Sequence, residues 1–164
     1  MTLEMSVSRT VPGEVAETFA RVLPMPLPVI FTRWHGPLPP IRFTEGPEPW
    51  QTAGQQRRVN LVGPGWMQET LLDVDPPDHF AYRLDQIHGP MRLLVGGVHG
   101  RWAFAPDGRG TRVTWTWRVT GRPATRWLLP TFARLWQGYA AKVLQDLERQ
   151  LTGRPSADAS STGP

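Results

Sequence analysis

Residues 110–119 read GTRVTWTWRV, and their alternation decides the fold. Val113, Trp115, Trp117 and Val119 fall on one face and Arg112, Thr114, Thr116 and Arg118 on the other, the period-2 pattern of a half-buried antiparallel strand. Two tryptophans on the inward face need a deep apolar partner, and the chain supplies one shortly afterwards. Phe132, Leu135, Trp136, Tyr139, Val143, Leu144, Leu147 and Leu151 recur at spacings of three and four, which makes an apolar stripe about 30 Å long on a helix over 130–151. Pro130 suits a first helical position, and Gly153 with Pro155 ends the helix.

Upstream, strands are predicted at 3–11, 41–46, 55–62, 66–74, 79–87, 97–105 and 111–120, separated by Gly63–Pro64–Gly65, Pro76–Pro77–Asp78, His88–Gly89–Pro90 and Pro106–Asp107–Gly108. Val15, Phe19 and Val22 give a short helix over 14–23 with Glu14 and Glu17 in its first turn. Eight prolines between Pro24 and Pro49 limit that segment to a single helical turn near 27–34. Met25, Leu27, Val29, Ile30, Phe31 and Trp34 are nevertheless too apolar for an ordinary exposed loop and must cover a core or the mouth of a pocket. Helices at both ends of an uninterrupted antiparallel meander predict an α+β fold with the helices on one sheet face.

The 164 residues suit one domain, expected over 1–152, with a disordered Ser/Ala/Gly/Pro tail at 153–164. The absence of cysteine excludes disulfides, a thiol nucleophile and Cys-based metal sites. The first residues lack a continuous apolar run, so no signal peptide is expected and the predicted location is cytoplasmic, without stable membrane insertion. The net charge of +4 rests on dispersed arginines, with Lys142 the only lysine, and does not predict nucleic-acid binding. Oligomeric state is left open.

Trp50 and Gly54 leading into Arg58–Val59, then Glu69, DVDPPDHFAY from Asp73, GRWAF from Gly100, GRGTRVTW from Gly108 and the final helix follow one another in a recognisable order. The chain thereby resembles the polyketide cyclase, START and pollen-allergen-like (SRPBCC) superfamily. The resemblance implies a helix-grip fold: a seven-stranded curved antiparallel sheet wrapped around a long C-terminal helix, with two short helices after the first strand. It also implies a mostly apolar pocket between sheet and helix, while the superfamily's carriers, cyclases and other members leave the reaction open.

On that architecture, the predicted ligand-facing residues are Phe80, Tyr82, Trp102, Phe104, Trp115 and Trp117 from the sheet, with Phe132, Trp136 and Tyr139 from the helix. For most of them a plain packed core is the simpler reading. Phe31, Trp34, His35 and His88 are placed at the pocket rim. Catalytic candidates are weak: Tyr82, His88 and Glu69. The strand phase of Glu69 is ambiguous. If inward, it is a desolvated carboxylate held by Arg58, with a raised pKa suited to a general base; if outward, it forms an ordinary cross-strand pair. Tyr82 and Tyr139, the only tyrosines, each need a buried partner, either a ligand or a backbone carbonyl. His79 and His99 read as surface residues, and no histidine–carboxylate spacing predicts a metal. No cofactor is expected.

The favoured function is therefore sheltering a hydrophobic small molecule, such as a lipid, polyketide or aromatic metabolite, without catalysis. The alternatives are a cyclase or aromatase acting on a polyketide-like chain, and a protein-interaction module of co-chaperone or toxin-like type.

Overall fold

The computed structural model describes residues 2–153. Strand β1 (Thr2–Pro12) leads into helix α1 (Val15–Val22) and a 3-10 turn at Leu27–Val29. Strands β2 (Ile41–Glu45), β3 (Gln56–Leu61), β4 (Trp66–Asp75), β5 (His79–His88), β6 (Val95–Asp107) and β7 (Gly110–Gly121) follow, and helix α2 (Leu129–Thr152) closes the chain. They form one antiparallel sheet in the order β1-β7-β6-β5-β4-β3-β2, curved around α2 as in the helix-grip fold. Two further 3-10 turns, Pro90–Leu93 and Arg126–Leu128, had no periodic signal in the sequence because each is about one turn long. All of the predicted tail except Gly153 lies outside the described residues.

The alternation in β7 holds along its length: Val113, Trp115, Trp117 and Val119 are buried. They face Phe132, Trp136, Tyr139, Val143 and Leu147 of α2, also buried, so strand and helix remove each other's apolar faces from water. Elsewhere the strand period slips. Bulges in β4 between Trp66 and Gln68 and between Leu71 and Asp73 put Met67, Glu69 and Leu71 inward and leave Leu72 exposed. In β5, Gln86 has a φ of 48°, which turns Ile87 inward and His88 out.

The proline-rich segment lies over α2 and is tied to it mainly by polar groups. Tyr139 Oη donates to the Pro39 carbonyl at 2.7 Å, Thr32 Oγ1 to Asp146 Oδ2 at 2.6 Å, and Lys142 Nζ to the Trp34 carbonyl at 3.0 Å. Arg33 Nη2 bridges to Asp146 Oδ1 at 3.2 Å. Asp146 is buried because these donors surround it, which explains a carboxylate on the inner side of an otherwise apolar stripe.

At the opposite end of the sheet, His79 is held on both ring nitrogens, with Asp78 Oδ2 2.6 Å from Nδ1 and Asp73 Oδ2 2.8 Å from Nε2. Asp75 joins Asp78 and His79 in a group whose potential metal-ligand atoms lie within 4.8 Å of one another, but the imidazole is already engaged by carboxylates. The hydrogen bonds to Asp78 and Asp73 raise the His79 pKa above 6.5, against partial desolvation and the nearby Arg101 charge. A raised folded pKa stabilises most fully below the unfolded value and is lost as pH rises through the folded value. Thermal denaturation across that range is expected to show Tm falling with rising pH, and His79→Gln to flatten the slope; an unchanged slope in the variant would remove His79 as its source.

Candidate functional site

Between the sheet and α2 the side chains leave a cavity of about 90 Å³. Its deep wall is aromatic. Trp102 and Trp115 stack at 5.1 Å with 12° between their planes, and Trp136 leans on both Trp115 and Trp117 at 4.9 and 5.5 Å. Phe80 and Phe132 complete this wall, while Phe31 meets Trp115 edge-on at 5.4 Å. The mouth is lined by half-buried side chains, including Met25, Leu27 and Leu38 of the proline-rich segment, Leu61 at the end of β3, and Met91 of the 90–93 turn.

Polar groups occur in this wall at few places. Tyr82 and Trp117 both pair with Gly100, from opposite sides of β6, and Gly100 leaves room for the Tyr82 ring. A Cβ on Gly100 would lie 2.0 Å from Tyr82 Cζ. The phenolic oxygen consequently reaches β7, where Trp115 Nε1 donates to it at 2.7 Å and Trp117 Nε1 at 2.8 Å. Two donors occupy the oxygen's two acceptor positions, so the remaining capacity of Tyr82 is its own O–H, as a donor. Burial first, and then the Glu69 charge, push the phenol's pKa up, while the indole hydrogen bonds pull it down less. Tyr82 therefore stays protonated: a fixed donor, and no base.

Glu69 lies inward on β4, directly across from Arg57 on β3, and Arg57 Nε donates to its Oε1 at 2.5 Å. Both side chains are buried and both line the cavity. Arg57 is also covered by Trp50, whose ring centroid lies 4.1 Å from Cζ, and it has room because Gly46 lies opposite; a Cβ there would come within 2.6 Å of Arg57 Cβ. The expected partner, Arg58, is on the other face, stacked on Trp66 at 3.7 Å. Glu69 is thus the inward carboxylate held by an arginine, with Arg57 in the place expected of Arg58.

Of the candidate ligand-facing residues, Phe80, Tyr82, Trp102, Trp115, Trp117, Phe132, Trp136 and Tyr139 line the cavity. Tyr139 spends its hydroxyl proton on Pro39, and burial pushes its pKa up. Phe104 is instead packed under α1, 5.3 Å from Phe19, because α1 covers that end of β6. At the rim only Phe31 lines the space. Trp34 is exposed and contributes its carbonyl to Lys142. His35 exchanges two backbone hydrogen bonds with Leu38 and packs its ring against the bare backbone of Gly138, where a Cβ would sit 2.2 Å from Nε2. His88 stacks on Trp66 at 3.8 Å on the outer face, turned there by Gln86, and takes no part in the cavity. Sequence reasoning missed Arg57, Trp50, Leu38, Leu61 and Met91, whereas Met25 and Leu27 were expected to cover a core or a pocket mouth; the inward phase of Val59 was the available signal for Arg57.

A curved antiparallel sheet gripping a long helix over an aromatic cavity defines a helix-grip protein. Residues 2–152 match the family described as polyketide cyclase / dehydrase and lipid transport, and the chain belongs to it. Among solved structures, norcoclaurine synthase from Thalictrum flavum, in complex with dopamine and hydroxybenzaldehyde, is similar at a TM-score of 0.70 and 13% identity, covering 95% of this chain and 90% of that one. The major latex-like protein 151 of Panax ginseng gives 0.67 and 13%, covering 91% and 97%. DynU16, from the dynemicin biosynthetic locus, gives 0.62 and 20%; 93% of this chain is covered but 48% of that chain, so this protein spans about half its length. At these identities the likeness is one of fold. No curated protein matches the sequence.

Replacing Tyr82 by Phe keeps the ring but leaves two buried indole N–H groups without an acceptor, at about 1–3 kcal/mol each. Tyr82→Phe is therefore expected to destabilise the protein by about 2–6 kcal/mol in urea denaturation, and Gly100→Ala to be at least as damaging. Values within about 0.5 kcal/mol of wild type for both would show that the indoles have other partners.

Proposed function

We propose that the protein binds a flat, largely apolar small molecule between the sheet and α2, with an acceptor atom of the ligand, such as a carbonyl oxygen, facing the Tyr82 hydroxyl. The observation that carries this reading is an aromatic cavity containing one hydroxyl whose acceptor positions are filled and whose proton is uncommitted. Stacked indoles suit a planar ring system, and a single fixed donor suits one acceptor at its edge. The indole N–H of Trp136, buried and without a partner, adds a second free donor on the same wall. In a cavity of about 90 Å³ a small single-ring aromatic carbonyl compound fits these features, and the flat walls favour its ring over a saturated chain, which gains burial but no ring–ring contact.

Family membership, with its description as cyclase, dehydrase and lipid transport, supports small-molecule handling and leaves both carriage and catalysis available. Carriage is the better reading because Tyr82 cannot act as a base and Glu69 Oε1 is bound by Arg57. One observation favours the cyclase alternative: Glu69, Arg57 and Tyr82 line the same cavity, so a substrate enol could be held between a donor and a carboxylate. The interaction-module alternative is weaker, since its filled, pocketless core is absent.

Titration with acetophenone, a single-ring ketone, is expected to quench tryptophan fluorescence saturably, and with ethylbenzene more weakly, because the hydrocarbon cannot accept from Tyr82. Leu61→Trp, which enlarges a side chain at the mouth, is expected to weaken both by about tenfold or more while leaving the fold intact, since Leu61 is only half-buried. Equal binding by wild type and Leu61→Trp would place the ligand outside the cavity. For the cyclase alternative, the double variant Arg57→Met/Glu69→Met removes the buried charges together, so folding survives; turnover of a poly-β-ketone mimic by wild type and its loss in this variant would establish chemistry.

A further inference from the structure

At the end of the molecule where the cavity opens, three turns lie side by side. Strand alternation places the β3–β4, β5–β6 and β7–α2 connections at this end and the β4–β5 and β6–β7 turns at the other. The first two connections touch backbone to backbone, for a Cβ on Gly89 would come within 2.7 Å of Gly65 Cα. The second and third are stitched by hydrogen bonds: Thr125 Oγ1 donates to the Leu93 carbonyl at 2.7 Å, Arg122 N to the Leu94 carbonyl at 3.0 Å, and Arg122 Nε to the Arg92 carbonyl.

Each turn carries an exposed apolar side chain: Val62 at 37%, Leu93 at 64% and Trp127 at 73% exposure. Leu93 is two residues from Met91, a lining residue of the mouth. Interleaved with them are Arg92, Arg122 and Arg126, all exposed and none within 4.0 Å of a described carboxylate. Between Asp85 and Asp146 the sequence holds one acid, Asp107, and that ends β6 beside Arg109 at the far end, where Asp75 and Asp78 border the β4–β5 turn. Glu4 and Asp85, the nearest strand carboxylates, are each engaged by an arginine, Arg118 and Arg83.

We propose that this three-turn tip docks reversibly on an anionic lipid bilayer, with Trp127 and Leu93 entering the headgroup region and Arg92, Arg122 and Arg126 contacting lipid phosphates. A tryptophan ring with an apolar body and one N–H suits that boundary, and unpaired arginines beside it suit a negative surface. No described helix is long and apolar enough to cross a membrane, so the contact is peripheral. Docking at the mouth would let an apolar ligand pass between bilayer and cavity with little exposure to water.

The test is co-sedimentation of the intact protein with vesicles of phosphatidylcholine alone and of phosphatidylcholine mixed with phosphatidylglycerol. Binding is expected to favour the mixed vesicles and to weaken as salt shortens the screening length. Trp127→Ser/Leu93→Ser is expected to lower the partition coefficient about tenfold or more. Arg92→Gln/Arg126→Gln is expected to lower it roughly 25-fold on mixed vesicles, about fivefold per charge, with little change on neutral ones. These side chains are exposed, so circular dichroism and Tm should match wild type and confirm that each variant is folded. Vesicle binding is read without any cavity ligand, so its failure and that of the ligand proposal are separable. Absence of vesicle binding, or equal binding by both variants, would overturn docking. So would displacement by inorganic phosphate at an ionic strength where sodium chloride leaves binding intact, which would indicate a free-anion site, or a wild-type dimer dissolved by Trp127→Ser, which would indicate a protein interface.

Discussion

A phenolic oxygen shared by two indoles organises this interior. Tyr82 belongs to β5, Trp115 and Trp117 to β7, and the two strands are separated by β6. Only a glycine at position 100 lets the ring cross the intervening strand. Two indole N–H groups buried this deeply need acceptors, because a desolvated donor left alone costs more than an ordinary hydrogen bond contributes. One atom meets both needs. The result fixes the rotamers of three large side chains, holds the cavity's deep wall in place, and leaves the Tyr82 proton free to meet something in the cavity.

The second polar element, Arg57 with Glu69, follows a different logic. A buried ion pair is weak evidence for stability, since desolvation offsets its attraction, and two apolar side chains could often replace it at little cost. Its presence on the wall of a cavity, with Trp50 stacked on the guanidinium, sets polarity near Tyr82 without leaving an unpaired charge. The aromatic wall and the paired charges together describe a site that recognises shape and one or two polar atoms.

What could be read beforehand depended on whether a segment kept its period. In β7 the alternation is unbroken, so its inward tryptophans and the facing stripe of α2 were legible. Where the backbone inserts a residue, the reading failed in a specific way. The bulge at Leu71/Asp73 made the two faces of β4 look equally apolar, and the positive φ of Gln86 moved His88 from an apparent inward phase to a stack on Trp66. Arg57 was hidden for another reason: a charged residue next to a second arginine looks like solvent-facing strand, and its burial depends on Glu69 from a strand whose phase was itself unresolved. Trp34 and His35 illustrate a third limit, because in a proline-rich segment no period exists to assign faces.

The way that segment is fastened bears on access to the cavity. Its inner side chains cover the mouth, yet several of its links to α2 are hydrogen bonds and ion pairs formed by Thr32, Arg33, Trp34 and Pro39 with Asp146, Lys142 and Tyr139. Such links are directional and can be exchanged for water, whereas the packing of Trp115, Trp136 and Leu147 is lost only by opening the core. The protein therefore combines a rigid aromatic floor with a cover whose attachments are individually modest. A ligand could enter by displacing part of that cover while the Tyr82–tryptophan arrangement stayed intact, so geometry at the deep wall and access at the mouth need not compete.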